Sequence, residues 1–115
     1  MQQVDTKENL IWLKDFYAPL LTQRQQEVLT LYLDGDYTLT EIAESFGSTR
    51  QAIYDMVKRT EKVLVEYEEK LGLLKRFYIA RQKAEKVEKI VRQLSGDERD
   101  KQEIFQALDE MLAVL

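Results

Sequence analysis

Apolar residues recur along this chain at steps of three and four, broken at a few points by Gly, Pro or short polar clusters. That rhythm predicts helices almost throughout. Over residues 8–18, Leu10, Leu13 and Tyr17, joined by Trp12 and Phe16, mark a first helix facing a core. Trp12 and Phe16 read as core residues rather than as stacking surfaces for a ligand. Ala18-Pro19 ends this helix, because a residue before proline avoids the α region. Thr22 opens a second helix, with Gln25 completing a capping box, and Val28, Leu29, Tyr32 and Leu33 face the same core. Asp34-Gly35-Asp36 stops it, with Gly35 suited to the left-handed cap.

Residues 39–58, LTEIAESFGSTRQAIYDMVK, carry the most specific pattern. Two short helices flank a glycine turn, in the manner of a DNA-binding helix-turn-helix. Ile42, Phe46, Ile53 and Met56 are spaced to lock the pair at a steep crossing. Ala43 is small where the helices come closest, and Gly47 stands where the turn needs a positive φ. Thr38 with Glu41 forms a capping box, and Tyr37 with Ile42 the matching hydrophobic staple. Ser48 occupies a position after the turn that is usually apolar. A plain helical hairpin with a glycine at its bend is the alternative.

The second helix of the motif starts at Thr49 as N-cap and meets no breaker before Gly72. Ile53, Val57, Thr60, Leu64, Tyr67 and Leu71 form its packing seam. From Leu74 to Leu94 a further helix shows Phe77, Ala80, Ala84, Val87, Val91 and Leu94, with Ile79 and Ile90 widening the stripe. Ser95-Gly96-Asp97-Glu98 offers a new capping box. The last helix sets Ile104, Phe105, Leu108, Met111, Leu112 and Leu115 on one side. The expected fold is therefore all-α: a helix-turn-helix domain without a wing over residues 1–72, and a helical extension over 73–115. The stripes on the last three helices are generous for one small domain, which leads to the expectation of a homodimer through the C-terminal half. A monomer in which those helices fold back on the first four is the alternative.

Composition narrows the function. The chain has 115 residues, one Pro, four Gly, no His and no Cys. The commonest general base, thiol nucleophiles, disulfides and the usual zinc ligand sets are thereby excluded. Asp34-Gly35-Asp36 lacks the further oxygens of a calcium loop, and the glycines are too scattered to cradle a phosphate. No enzyme activity, cofactor or metal is expected. No apolar run approaches the roughly 20 residues of a membrane span, and MQQVDTKENL lacks the layout of a signal peptide. A cytoplasmic protein without membrane insertion is expected.

Binding remains. The outward positions at the start of the second motif helix are Thr49, Arg50, Gln51, Tyr54, Asp55 and Lys58, followed by Arg59 and Lys62. Arg50 can bridge O6 and N7 of a guanine, and Gln51 can bridge N6 and N7 of an adenine. Thr49 suits a phosphate or a thymine methyl, while Lys58, Arg59 and Lys62 suit phosphates. Tyr54 fits either the reading face or half-buried packing. Asp55 can accept from a cytosine N4 or pair with Arg59 along the helix. Charge runs the other way. The net charge is −4, and residues 22–62 carry five Lys/Arg against seven Asp/Glu. The basic surplus lies at 63–96, eight against five, and includes Arg76, Arg81, Lys83, Lys86, Lys89 and Arg92.

Residues 21–59, LTQRQQEVLTLYLDGDYTLTEIAESFGSTRQAIYDMVKR, resemble region four of bacterial sigma factors, the module that reads promoter −35 elements. LTQRQQEVL, DYTLTEIA, TRQAIYDMVKR and VLVEYEEKLGL are more closely similar to the YlxM family, small helix-turn-helix proteins of Gram-positive bacteria. The resemblance runs from about Asp15 to Leu94. It implies a regulatory role and participation in the signal recognition particle pathway, inferred partly from neighbouring genes. It also carries the recognition-helix roles onto Arg50, Gln51 and Tyr54. Two functions follow. The first is a dimeric regulator that binds double-stranded DNA. The second is an adaptor that engages signal recognition particle protein or RNA, with RNA binding falling on Lys83, Lys86 and Lys89.

Overall fold

The computed structural model describes residues 7–115. The first six residues, part of the N-terminal stretch read above for a signal peptide and of the 1–72 domain, lie outside it. Among the described residues there are six α-helices, one 3₁₀ turn and no strand. The chain divides into two compact units, Met1–Gly72 and Leu73–Leu115.

The first unit holds α1 (Lys7–Tyr17), a 3₁₀ turn (Ala18–Leu20), α2 (Gln23–Leu33), α3 (Leu39–Phe46) and α4 (Arg50–Leu71). Proline at the start of the 3₁₀ turn removes a donor that α1 would need to continue. Helix α4 is the centre, packing against α1, α2 and α3. Its Ile53, Val57, Thr60 and Leu64 are buried, and they meet a core built from Leu10, Leu13, Tyr17, Val28, Leu29, Leu33, Ile42 and Ala43. Full burial of side chains of this size stabilises by about 1.5–3 kcal/mol each before conformational entropy is set against it. Thr60, the polar member of the seam, donates its hydroxyl to the Met56 carbonyl at 2.8 Å.

The lower half of α4 departs from the expected seam. Leu71 is 45% exposed, and Glu68 is buried in its place. Tyr17, 1% exposed, donates its hydroxyl to Glu68 Oε1 at 2.7 Å, and its ring lies 5.8 Å from that of Tyr67. A buried carboxylate is tolerated only when hydrogen-bonded, and the phenol supplies that bond. Lys14 is likewise buried, with its ammonium on Asp34 and on Thr30 Oγ1 at 3.4 Å, which ties α1 to the end of α2. Trp12 and Phe16 are half-buried rather than core, with ring centroids 6.4 Å apart.

The turn after α2 also differs from expectation. The left-handed residue is Asp36 (φ 55°), not Gly35. Glycine is required at 35 because the Tyr37 ring and the Leu31 carbonyl would stand 2.8 and 3.0 Å from a Cβ there. Tyr37 lies over that glycine, 48% exposed, and lines a groove of about 350 Å³ with Leu10, Tyr32, Leu33 and Lys58.

The second unit is a hairpin of α5 (Leu73–Gln93) and α6 (Glu98–Ala113). Its buried side chains include Ala84, Val91 and Phe105, and the Arg92 guanidinium sits 4.5 Å from the Phe105 ring centre. Asp97, not Ser95, caps α6 by accepting from the Arg99 N–H at 2.9 Å. The side chain one residue before a helix is better placed for its free N–H groups than one three residues before it.

Candidate nucleic-acid interface

Three residues, Gly47-Ser48-Thr49, join α3 to α4. Helix α3 begins with a reciprocal cap: the Thr38 hydroxyl accepts from the Glu41 N–H at 3.1 Å, and the Glu41 carboxylate accepts from the Thr38 N–H at 2.9 Å. Those bonds hold the exposed Glu41 carboxyl below its usual range, chiefly through the Thr38 backbone N–H. The helix ends in a Schellman motif, with Gly47 left-handed (φ 62°, ψ 37°). Its N–H donates to the Glu44 carbonyl at 3.3 Å, and the Ser48 N–H to the Ala43 carbonyl at 2.9 Å. The half-buried Ser48 thus serves through its backbone, which explains why a non-apolar side chain is accommodated there.

Thr49 then caps α4, its hydroxyl oxygen accepting from the Ala52 N–H at 3.1 Å while the hydroxyl hydrogen remains free to donate. Along the first four turns of α4, Arg50, Gln51, Tyr54, Asp55, Lys58, Arg59 and Lys62 are exposed over an arc of the helix, while Ile53 and Val57 are buried. At about 3.6 residues per turn, Arg50 and Arg59 stand at opposite edges of this arc and Gln51 near its middle. The sequence-derived set is therefore assembled on a single surface.

Its members differ in freedom. Among the described residues Arg50, Arg59 and Lys62 form no ion pair, while Lys58 reaches Glu61 at 3.4 Å and lies 5.7 Å from the Tyr54 ring centre. The Glu61 carboxylate is the main cause of a Lys58 pKa above the ordinary lysine value, so this ammonium stays charged throughout the neutral range. Tyr54 is 41% exposed, its ring forming part of the arc. Asp55 does not pair with Arg59: it accepts from Gln51 Nε2 at 2.9 Å. A Gln–Asp pair four residues apart on a helix is a known stabilising spacing, so this partner was visible in the sequence as a rival to Arg59. One amide hydrogen of Gln51 is used by this bond, leaving the other hydrogen and the carbonyl oxygen for a partner in solution.

Among the described residues no group of three His, Cys, Asp or Glu side chains is arranged to hold a metal, and no helix is long and apolar enough to cross a membrane.

A glycine-turned helix pair, with the second helix anchored in the core and its opposite arc in solvent, defines a helix-turn-helix protein. Residues 4–111 match the family model described as "Putative helix-turn-helix protein, YlxM / p13 like", and the chain belongs to this family. A UPF0122 protein of Limosilactobacillus reuteri is 46% identical over 84 residues, covering 73% of this chain and 74% of the relative. A UPF0122 protein of Geobacillus kaustophilus is 41% identical over 100 residues, covering 87% and 91%. One from Bacillus cereus is 39% identical over 111 residues, covering 96% and 99%. The family description names a fold motif and no reaction.

Proposed function

We propose that this protein is a cytoplasmic DNA-binding regulator that inserts the start of α4 into the major groove of duplex DNA. The observation that carries the reading is the arc itself. Arg50, Gln51, Tyr54, Lys58 and Arg59 are all exposed, along a half-turn arc of a helix that Ile53 and Val57 anchor in the core. In this mode the N-terminal residues of the second helix reach base edges. Arg50, in no ion pair among the described residues, takes a guanine, and Gln51, steadied by Asp55, takes an adenine. Lys58 and Arg59 meet phosphates, and Thr49 donates to one from the N-cap. Selection of bound sequences from a randomised duplex pool tests this. Wild type should enrich a motif, and Arg50→Ala should relax one guanine position of it. No enrichment at low ionic strength would sink the reading.

A second reading, an adaptor that engages a protein of the signal recognition particle pathway, is favoured by the acidic balance around the arc. Residues 22–62 carry seven carboxylates against five cations. Retention of the particle protein, with binding insensitive to Arg50→Ala, would support the adaptor over the regulator.

A further inference from the structure

A groove in the first unit meets the α4 arc at one residue, Lys58. It opens where the start of α1, the end of α2 and the middle of α4 come together, and its volume is about 350 Å³. Ligand sites run from about 300 to 1,000 Å³, so this one suits a small molecule. Leu10 and Leu33 are buried and give it an apolar floor, and Tyr37, 48% exposed, gives it an aromatic wall. The half-buried Tyr32 lines it as well. Neither tyrosine hydroxyl has a hydrogen-bond partner among the described residues.

The charged groups of the groove come as two pairs. Lys7 Nζ lies 3.0 Å from Asp36 Oδ1, and Lys58 Nζ lies 3.4 Å from Glu61 Oε1. The lining therefore carries two cations, two anions and no net charge. Exposed pairs of this kind contribute little to stability, so a ligand can open them at small cost. The two anions are not equivalent. Glu61 has 16% of its side chain exposed against 83% for Asp36, so the charge of Glu61 is the less screened by salt and water. Beside it, the Tyr32 phenol is close enough to act on the Lys58 ammonium.

We infer that this groove binds a free α-amino acid with an aromatic side chain. The Lys58 ammonium takes the carboxylate, Glu61 takes the amino group, and the ring rests on Leu10 and Leu33 beside Tyr37. An α-amino acid carries its two charges on one carbon, which matches a cation and an anion 3.4 Å apart. The Tyr32 hydroxyl, uncommitted and near Lys58, can donate to the same carboxylate. A ring against Tyr37 gains more than its buried area alone. Other small ligands fit less well. A phosphate ester would meet the Asp36 and Glu61 carboxylates, and a polyamine would meet the Lys7 and Lys58 ammonium groups, like charge against like. Binding here does not depend on whether α4 meets DNA, although an occupied groove takes the Lys58 ammonium from the arc.

The test titrates the full chain with L-phenylalanine and follows backbone amide chemical shifts, which report affinity, location and fold together. Saturable shifts around residues 32–37 and 58–61 are expected at millimolar ligand or below, the range open to about a dozen non-hydrogen atoms. Phenethylamine lacks the carboxylate, hydrocinnamate lacks the amino group and L-alanine lacks the ring, and each should bind wild type about tenfold more weakly or worse. Glu61→Gln should cut phenylalanine affinity about tenfold without weakening hydrocinnamate. Lys58→Gln should cut it similarly without weakening phenethylamine. Misfolding cannot produce that crossed pattern. Shifts that never saturate, or that fall elsewhere in the chain, overturn the inference. So does hydrocinnamate binding wild type as tightly as phenylalanine, or phenylalanine binding that ignores both substitutions.

Discussion

Replacing Gly47 with alanine isolates the turn that sets α3 against α4. Gly47 has φ 62° and ψ 37°, and nothing lies within 4 Å of a Cβ built on it. The cost therefore comes from backbone conformation alone, without a clash. A left-handed residue bearing a Cβ loses about 1–2 kcal/mol. Stiffening of the unfolded chain by alanine offsets part of this, leaving a net loss of about 1 kcal/mol. For a unit of this length that is a fall in Tm of about 4–8 °C. Asparagine tolerates the left-handed region, so Gly47→Asn should lose clearly less than Gly47→Ala. Gly35→Ala serves as the contrast. Its backbone is not left-handed, but its Cβ would meet the Tyr37 ring and the Leu31 carbonyl, so asparagine there should be no better than alanine. Urea unfolding of wild type and these four variants, read as midpoints at constant slope, measures all of this. A Gly47→Ala protein as stable as wild type, or Gly47→Asn falling as far as Gly47→Ala, would refute the assigned conformation.

Further outcomes follow from the same geometry. Tyr17→Phe removes the phenol that satisfies buried Glu68 and should cost about 1.5–3 kcal/mol in urea unfolding, more than a surface substitution. Because the folded Glu41 carboxyl has a depressed pKa, its contribution to stability is present above the unfolded value near 4.5 and is lost as pH falls through the lower folded value. Glu41→Gln keeps a cap acceptor and should flatten that acid dependence in melts taken below pH 4.5. Thr49→Ala removes the α4 N-cap and should cost about 1 kcal/mol, read as a lower Tm.

Much of this molecule was legible from its residues because caps are local chemistry. Thr22 with Gln25, Thr38 with Glu41, Thr49, and the left-handed Gly47 all sit where short-range hydrogen bonding put them. The exposed arc on α4 was legible for a related reason, since the apolar period of Ile53 and Val57 defines its opposite. What escaped depends on distant contacts. A buried Glu68 has no signature until Tyr17, 51 residues earlier, arrives beside it. Gly35 looked like a left-handed cap because glycine serves equally for a positive φ and for close approach. The position of Tyr37 decided which. The Asp55 partner was underdetermined, since Gln51 and Arg59 lie the same four residues away on either side.

Affinity for duplex DNA across a salt series tests most directly whether the exposed arc of α4 is a DNA-reading face. Three phosphate contacts from Lys58, Arg59 and Lys62 set a slope of log K against log salt of about −2.7, a loss of about 40-fold between about 50 and 200 mM. Lys58→Ala should flatten that slope by about one, and Arg50→Ala should lose about 1–3 kcal/mol on the selected sequence with the slope preserved. Binding that ignores both substitutions and salt alike, or no binding at the lowest salt, would contradict it.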